Sequence, residues 1–429
     1  MSKVNLPLSY GKEVIRFELP EKKLVYSIKP KDSIKIKNVE EMIRQSLQRP
    51  IATLPLAEQV KKGMKVVIVG DDLTRPTPRA IIFPVILDEL NRCGVPDKDI
   101  TVLIGLGTHR YMKEEEIHQS FGEEVVERVT VLNHEWKDAG NFARLGHTPK
   151  GTPIEVNKIA VEADFLMAVG NIVPHCYAGY GGGGKAVQPG ICSWETTGRT
   201  HIMPMGEDLY LQIAGEVENV VRQEIEMVAE IAGLRFIVNV VLNDEGEIVH
   251  VVAGDPVQAH REGVRFAQGV YERPIPSLAD IVVVSAFPAD IDYWQGIKPL
   301  SYAQKGLKKG GTSILVAPFE EGISATHSAL FRDYATRPYR ELKKKVEEGT
   351  FGDLVCAATL LLHAKIMEHS KEVICVSKGL SIENKEILGF RHASTIEEAL
   401  DMAFKTQGRE ARVGVINCGG DILPRLSTL

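Results

Sequence analysis

The chain has 429 residues, a formal net charge of −6 and 44% hydrophobic residues. Its length exceeds one compact core and predicts two or three domains, while its negative charge argues against a protein that binds the nucleic-acid backbone. No apolar run reaches membrane-spanning length and the first residues contain no apolar signal core, so the sequence predicts a cytoplasmic protein without a membrane or nucleic-acid partner.

The first part of the chain alternates predicted strands with predicted helices. Continuous apolar runs predict strands at Met64–Gly70, Ile100–Gly105 and Asp164–Gly170. A helical pattern that ends at Cys93 and is closed by Gly94 separates the first two strands. Strands that are apolar throughout are typical of a largely parallel sheet buried on both faces. Ligands of such sheets bind at the carboxyl ends of the strands.

Polar residues follow each of these strands. They are Asp71, Asp72, Thr74 and Arg75 after the first strand, Thr108, His109 and Arg110 after the second, and Asn171 and His175 after the third. A histidine near its unperturbed pKa can act as an acid or a base at neutral pH, and two of them on opposite faces of a substrate would serve both enantiomers, as a racemase requires. His109 and His175 are therefore candidate acid/base residues, with ordinary loop histidines as the alternative. The guanidinium of Arg75 suits a planar carboxylate.

A run of four glycines, Gly181–Gly184, stands directly before Lys185. Such a run lets the backbone approach a ligand closely. Residues 179–185 fit the G-x-x-x-x-G-K part of a triphosphate-binding loop. Ala186 stands where a serine or threonine hydroxyl would hold magnesium, however, and Pro189 prevents the helix that should follow. A nucleotide-dependent phosphotransfer enzyme is therefore the alternative function, and a plain glycine loop with a solvated lysine is a further alternative.

The residues around this loop offer chemistry of their own. Lys185 can form a Schiff base, act as a base or anchor a cofactor covalently. His201 lies close enough in sequence to fold back on the loop, and histidine is the commonest metal ligand. The residue types of His175, Cys176, Cys192 and His201 also suit a zinc site, although their spacing matches no common structural zinc motif.

The middle of the chain continues with a helix and a hairpin. Val217–Ala232 has apolar residues at helical spacing, with Gly233 as a C-terminal cap. Leu234–Leu242 and Glu247–Val252 flank an Asn-Asp-Glu-Gly turn, which predicts a β-hairpin. The two prolines of Tyr271–Ser277 interrupt any periodicity, so a domain boundary is expected there.

A second α/β unit follows this boundary. Apolar runs predict strands at Asp280–Ala286, Thr312–Ala317 and Val373–Val376, and a helix is predicted to contain Ser301–Leu307. The segment between the first of these strands and the helix carries Asp290, Asp292, Trp294, Gln295 and Lys298. At the carboxyl end of a strand, the amide and the ammonium group of this set can complete an anion clamp.

Together these elements predict two mixed α/β domains, with largely parallel sheets, that face a central cleft. The predicted cofactor-binding domain spans residues 1–270 and is completed by residues 408–429, and the predicted substrate-side domain spans residues 271–407. The strand Val413–Asn417, which decides where the last segment belongs, fits either domain. A cleft between domains is the usual location of a small-molecule site.

The ordered set of motifs resembles the nickel-dependent lactate racemase family. The segments that carry the resemblance are DDLTRP (71–76), GLGTHR (105–110), GNIVPH (170–175), GGGGKAVQPG (181–190), ETTGRTH (195–201) and DYWQGIK (292–298). No single motif is specific, but the set runs in order through most of the chain. The resemblance implies an isomerase that racemises or epimerises a 2-hydroxy acid.

The cofactor of that family is a nickel-pincer nucleotide, pyridinium-3-thioamide-5-thiocarboxylic acid mononucleotide with nickel in a square-planar site. The resemblance implies a covalent link from Lys185 to this cofactor, nickel ligation by His201, and paired acid/base roles for His109 and His175. It also implies cofactor contacts from Thr74, Gly181, Gly182, Gly183 and Gly184, and substrate contacts from Asp72, Arg75, Trp294, Gln295 and Lys298.

The implied mechanism moves a proton and a hydride. One histidine takes the hydroxyl proton while the α-hydrogen moves to the cofactor as a hydride. The planar 2-keto acid then receives the hydride on its other face, and the opposite histidine returns a proton. Enzymes that assemble the cofactor are implied as partners.

Departures from the family pattern concern the substrate. Trp294 stands where a tyrosine or phenylalanine is usual, Thr350–Leu354 contains no tryptophan, and ISATHSALF (323–331) replaces glycine-rich residues. These changes would reshape the pocket around the substrate side chain. Lactate, malate and longer or aromatic 2-hydroxy acids are therefore all open as substrates, and a non-catalytic protein that binds a small acid or nucleotide is a third hypothesis. The sequence leaves open whether the chain forms a homo-oligomer.

Overall fold

A computed structural model describes residues 2–33, 35–206 and 208–427 of the chain. The strands are β1 (Lys3–Tyr10), β2 (Glu13–Pro20), β3 (Leu24–Ile28), β4 (Val66–Asp71), β5 (Ile100–Gly105), β6 (Thr130–Asn133), β7 (Phe142–His147), β8 (Pro153–Asn157), β9 (Phe165–Asn171), β10 (Pro174–His175), β11 (Gly179–Tyr180), β12 (Leu234–Leu242), β13 (Ile248–Gly254), β14 (Glu272–Ile275), β15 (Ala279–Ser285), β16 (Leu307–Val316), β17 (Glu372–Val376), β18 (Arg391–Ala393), β19 (Val413–Ile416) and β20 (Leu423–Leu426).

The α-helices alternate with these strands along much of the chain. They are α1 (Val39–Gln48), α2 (Leu56–Gln59), α3 (Arg79–Arg92), α4 (Glu114–Phe121), α5 (Glu123–Arg128), α6 (Lys158–Val161), α7 (Trp194–His201), α8 (Val220–Ile231), α9 (Gln258–Tyr271), α10 (Tyr293–Ala303), α11 (Ser328–Tyr334), α12 (Tyr339–Glu347), α13 (Leu354–His369), α14 (Ile382–Ile387) and α15 (Ile396–Gln407). Of the helices described, none is both long and apolar enough to cross a membrane.

The N-terminal sheet has the strand order β13-β12-β9-β4-β5-β6 and is parallel except for the β12–β13 hairpin. The strands of this sheet are apolar throughout because both of its faces are buried, as the alternate residues of β4 show. Val66 and Ile68 pack with α1 and α3, whereas Val67 and Val69 pack with α8 on the opposite face. The register pairs Asp71 with Gly105, so the polar residues after β4 and β5 begin at the same edge.

The C-terminal sheet has the order β18-β17-β16-β15-β19-β3 and is parallel throughout. Helices α10 and α13 cover one face, and β1, β2 and α15 cover the other. Both sheets match the predicted fold class of mixed α/β structure with largely parallel sheets.

The last segment of the chain lies in a different place from the predicted one. Residues 408–429 were expected to complete the N-terminal domain, but β19 pairs with β15, where Val413 is opposite Ile281. On its other side β19 pairs with β3, so a segment from the start of the chain also joins the C-terminal sheet. An apolar four-residue strand fits either sheet equally well, and only long-range pairing decides between them. The division of the chain near residue 271 stays a prediction.

Helix α10 corrects a second expectation. The predicted helix contained Ser301–Leu307, whereas α10 begins at Tyr293 and Leu307 begins β16. Asp292 is the N-cap, and its side chain accepts a hydrogen bond of 2.8 Å from the amide of Gln295. Pro299 lies inside the helix and made the segment resemble a loop, because proline has no amide hydrogen to donate.

Candidate active site

A cavity of about 1000 Å³ lies where the carboxyl ends of β4, β5 and β9 face α10 and α13. The predicted residues that line it are Asp72, Arg75, His109, His175, Gly181, Gly182, Lys185, His201, Trp294, Gln295 and Lys298. Thr74, Gly183 and Gly184 lie behind this lining. Thr74 hydrogen-bonds to Asp72, and the two glycines begin the 3₁₀ turn that contains Lys185. Segments from both sheets thus meet at one site, as expected for a small-molecule site between two units.

His109 is held between a carboxylate and an amide. Its Nδ1 lies 2.7 Å from Asp72 Oδ2, and its Nε2 lies 3.2 Å from the Nε2 of Gln295. Since a side-chain amide nitrogen can only donate, the neutral ring carries its proton on Nδ1 and accepts at Nε2. Burial lowers the pKa of His109, and the carboxylate of Asp72 partly opposes this. His109 is therefore neutral at pH 7 and can accept a proton at Nε2.

Asp72 is itself fixed by its neighbours. Its Oδ1 accepts a hydrogen bond of 2.5 Å from the Thr74 hydroxyl, and Arg75 donates to Thr74 Oγ1 at 3.0 Å. Burial acts to raise the pKa of Asp72, but His109 and Arg75 outweigh it, so the pKa is lowered. The residue therefore stays a carboxylate and can stabilise a protonated His109.

His175 has the opposite hydrogen-bonding pattern. Its Nδ1 accepts from the amides of Tyr177 and Ala178 at 3.2 and 3.3 Å. The neutral ring therefore carries its proton on Nε2 and is a donor there. Burial lowers the pKa of His175 well below its usual value, and Lys185 and Lys298 lower it further.

Three cationic side chains, Arg75, Lys185 and Lys298, line the same cavity. Burial lowers the pKa of Lys298 to about 7, and Arg75 adds to this effect. Burial also lowers the pKa of Lys185 well below its usual value. Lys298 donates to Gln295 Oε1, which orients the amide that contacts His109. Such crowding of positive charge is relieved by anions, so the cavity is suited to carboxylates and phosphates.

His201 ends helix α7, which Ser193 caps through a hydrogen bond to the amide of Thr196. The Nδ1 of His201 donates to the carbonyl of Thr197 at 2.8 Å, which leaves the Nε2 lone pair available. Burial lowers the pKa of His201 to about 3, so the ring is neutral. A neutral histidine whose other nitrogen is held by a carbonyl is typical of metal ligands.

The glycine loop has a conformation that only glycine adopts easily. Gly182 and Gly183 have φ values of 75° and 61°, and a Cβ on Gly182 would lie 2.8 Å from Asn239 Oδ1. Residues 183–186 form a single 3₁₀ turn, and the next α-helix begins only at Trp194. The loop therefore lacks the helix N-terminus on which triphosphate binding depends.

Three buried side chains that the sequence analysis did not select hold this loop. The guanidinium of Arg222 donates to the carbonyls of Ala178, Tyr180 and Gly182. Asn239 Oδ1 accepts from the Gly183 amide at 2.8 Å, and His260 Nε2 donates to the Gly181 carbonyl at 2.8 Å. The one signal available in the sequence was a charged Arg222 on the apolar face of α8.

The zinc site considered from the sequence does not form in the described part of the chain. Cys192 packs in a hydrophobic cluster with Val187 and Ile191, outside the cavity lining. Burial raises the pKa of Cys176 to about 11, so it remains a thiol. His175 and His201 line the cavity without the second cysteine.

Unsatisfied polar atoms face the same region. Among the described residues, Asn171 Nδ2 and Thr197 Oγ1 are buried without a hydrogen-bond partner, and both residues line the cavity. Buried polar groups are nearly always paired in a functional protein. These two atoms are available to hydrogen-bond a polar ligand in the cavity.

The fold and the site define an α/β enzyme in which a cationic cavity is lined by two histidines with opposite hydrogen-bonding patterns. Two family models match the chain: the lactate racemase N-terminal domain over residues 10–210 and the lactate racemase C-terminal domain over residues 276–423. The chain therefore belongs to the lactate racemase family, and it is an isomerase of the racemase type.

Individual relatives agree with this assignment. The lactate racemase of Lactiplantibacillus plantarum is 30% identical over 385 residues, which cover 89% of each chain. The lactate racemase of Thermoanaerobacterium thermosaccharolyticum is 29% identical and covers 98% of this chain and 99% of its own. The structure of the latter apoprotein matches with a TM-score of 0.88, 28% identity, and coverage of 98% of this chain and all of that chain. A Thermotoga maritima protein matches with a TM-score of 0.75 and 22% identity over 92% of this chain and all of that chain, which supports the fold alone.

Proposed function

We propose that this protein interconverts the configurations of a 2-hydroxy acid at C2 with a bound nickel-pincer nucleotide. The observation that carries the proposal is the arrangement of His109 and His175, which offer an acceptor and a donor to one cavity rich in cations. The two relatives named lactate racemase support the same reaction type.

The residues of the cavity fit such a cofactor. Burial lowers the pKa of Lys185, which favours the unprotonated amine that a covalent link requires. His201 has a free Nε2 for nickel, and Asn171 and Thr197 have unused hydrogen-bonding atoms for the polar groups of a nucleotide. When bound, the cofactor supplies an acceptor for the α-hydrogen as a hydride.

The chain's own residues bind and orient the substrate. Arg75 and Lys298 bind the carboxylate, and Gln295 contacts the hydroxyl oxygen. His109 Nε2 takes the hydroxyl proton, and the Asp72 carboxylate stabilises the imidazolium that results. Without that carboxylate, a protonated ring close to Arg75 and Lys298 would be strongly disfavoured.

His175 acts on the other face of the substrate. Its Nε2–H donates a hydrogen bond to the substrate oxygen, and it can transfer that proton as the second configuration forms only when Nδ1 is protonated as well, so that a neutral imidazole is left. For the ring to accept a proton at Nε2, the turn at residues 176–178 has to release Nδ1. Proton transfer on this face therefore needs a local movement that His109 does not need.

The identity of the substrate side chain is part of this proposal. Trp294, Ile297 and Val355 supply apolar surface to the cavity wall, so lactate and 2-hydroxy acids with larger apolar groups fit better than malate. A cytoplasmic location and cofactor-assembly enzymes as partners stay predictions, and the oligomeric state stays open.

Mass spectrometry of protein coexpressed with cofactor-assembly enzymes tests the function. We expect an adduct on Lys185, one nickel per chain, and loss of both in Lys185→Arg, whose side chain is of similar length but cannot form the link. A chiral assay over lactate, malate and larger 2-hydroxy acids should then show interconversion by the loaded wild-type protein. Absence of the adduct under these conditions would refute the proposal, and ATP binding without nickel would favour a nucleotide-dependent enzyme instead.

A further inference from the structure

Trp294, which lines the cavity, is stacked on a second ring. The imidazole of His327 lies parallel to the indole, with ring centroids 4.1 Å apart and planes inclined by 18°. The His327 side chain is buried, and the residue is 3% exposed. Close stacking fixes the plane of the indole, because a rotation of Trp294 would break the ring contact.

Asp353 holds His327 in this position. Its Oδ2 accepts a hydrogen bond of 3.1 Å from His327 Nδ1, and its Oδ1 accepts one of 2.9 Å from the amide of Cys356. The second bond caps α13, the helix that carries Val355 and Thr359 into the cavity wall. Asp353 therefore connects His327, which lies behind the Trp294 indole, to α13, which forms the neighbouring part of the cavity wall.

His327, Asp353 and Cys356 bring potential metal-ligand atoms within 4.8 Å of one another. Both oxygens of Asp353 already accept hydrogen bonds from the protein, however. Helix capping and the histidine–carboxylate bond explain this cluster without an ion.

The same imidazole contacts the N-terminal part of the site. The ring centroid of His327 lies 5.3 Å from that of Trp194, which begins α7. The ring centroids of Trp194 and Trp136 are 5.1 Å apart. Trp136 donates its Nε1–H to the carbonyl of His109 at 2.9 Å. All three tryptophans of the chain thus lie in one row with His327, so their fluorescence reports on this ring.

We propose that His327 is a positioning residue that fixes Trp294 and thereby limits the size of the substrate side chain. The proposal rests on the proposed function, because it concerns the same cavity. The substrate class that follows is 2-hydroxy acids whose apolar side chain lies against the indole, with the carboxylate held by Arg75 and Lys298 on the other side. Loss of the ring should widen the pocket without changing the groups that move protons.

The test compares His327→Ala with His327→Phe and His363→Ala in cofactor-loaded protein. His363 is also buried and joins α13 to α10 through a 2.6 Å bond to Tyr293, so it is a matched control for weakened helix packing. We expect His327→Ala to raise kcat/KM for 2-hydroxyisocaproate relative to lactate by about tenfold. His327→Phe, which keeps a ring, should restore the wild-type ratio, and His363→Ala should leave it unchanged.

The fluorescence of the unloaded variants gives a readout that does not depend on activity. We expect the tryptophan emission to change in His327→Ala and to stay near that of the wild type in His363→Ala. Equal changes in the substrate ratio or in emission for both alanine variants would overturn the role of His327. Wild-type protein that carries the adduct but interconverts no 2-hydroxy acid would instead refute the proposed function, and the fluorescence comparison would still decide the position of Trp294.

Discussion

His109 and His175 face one cavity but are held in opposite ways. A carboxylate accepts from Nδ1 of His109, whereas two backbone amides donate to Nδ1 of His175. The first ring is thereby an acceptor at Nε2, and the second is a donor. Two histidines that would be interchangeable in a sequence motif are therefore different in their resting state, and the difference comes from the groups behind each ring.

The charges around the two rings add to this difference. Asp72 acts to raise the pKa of His109, while the charged groups that most affect His175 are Lys185 and Lys298, which lower its pKa. Protonation is therefore better tolerated at His109. The comparison predicts that loss of His109 removes the proton acceptor of the resting site, whereas loss of His175 removes a hydrogen-bond donor that exchanges a proton only after the turn at residues 176–178 has moved.

The largest expected effect is that of His109→Asn. We expect kcat to fall by about 10³-fold, because a positioned general base contributes roughly 10²–10⁴-fold. His175→Asn should cost at least tenfold less, because asparagine keeps the hydrogen-bond donor and only the proton exchange on that face is lost. Steady-state kinetics in both directions, with nickel content and the melting temperature as controls, measures this. Equal losses in the two variants would contradict the asymmetry.

Asp72→Asn tests the group behind His109. The activity should fall by about 100-fold, because the amide cannot stabilise a protonated ring as a carboxylate does. Removing a charge that raises the pKa of His109 lowers that pKa further, so the acid limb of the pH profile should move to lower pH.

The matched control for this variant is Asp71→Asn. Asp71 also lines the cavity, but its carboxylate is bound to Arg79 and Thr77 at 2.6 Å each. This variant should lose stability and keep the acid limb in place. A shift of equal size in both variants would show that net charge, and not the contact with His109, sets the limb.

Arg222→Met tests the group behind His175. Arg222 holds the carbonyls of Ala178, Tyr180 and Gly182, so its loss should loosen the turn whose amides donate to His175. We expect about tenfold lower activity and a loss of roughly 2 kcal/mol in the free energy of unfolding, because buried carbonyls are left unpaired. Chemical denaturation and the kinetic assay check both. If the NMR signal of His175 is unchanged in the variant, the proposed effect of Arg222 on His175 is contradicted.

The sequence predicted the part of the site that is local in the chain. The apolar runs of β4, β5 and β9 are continuous, so their carboxyl ends and the residues after them were predictable. The tautomers of His109 and His175 were not, because they depend on contacts with Asp72, on the turn after β10 and on α10.

The sequence also did not predict features that depend on contacts between distant parts of the chain. Arg222 and His260 reach the glycine loop from helices far along the chain, and nothing in their local pattern shows which carbonyls they bind. Because Pro299 lies inside α10, the start of this helix was not predicted. Strand β19 has too few residues to favour one sheet over the other. Local periodicity predicts elements, but it does not predict their partners.

Lys298 is one of the groups that affect both histidines, and its titration gives the smallest expected effect. Its positive charge lowers the pKa of His109 and that of His175, while burial lowers its own pKa to about 7. As the pH rises through about 7, Lys298 loses its proton and with it the attraction for the substrate carboxylate. KM should therefore increase several-fold between pH 6.5 and 8.5, roughly as expected for the loss of one partly screened ion pair, with kcat changing less. In Lys298→Arg the charge persists at these pH values, so KM should no longer depend on pH even if its value is higher. A KM that rises equally in both proteins would show that a group other than Lys298 titrates. Lys298 would then not be the residue that makes substrate binding depend on pH.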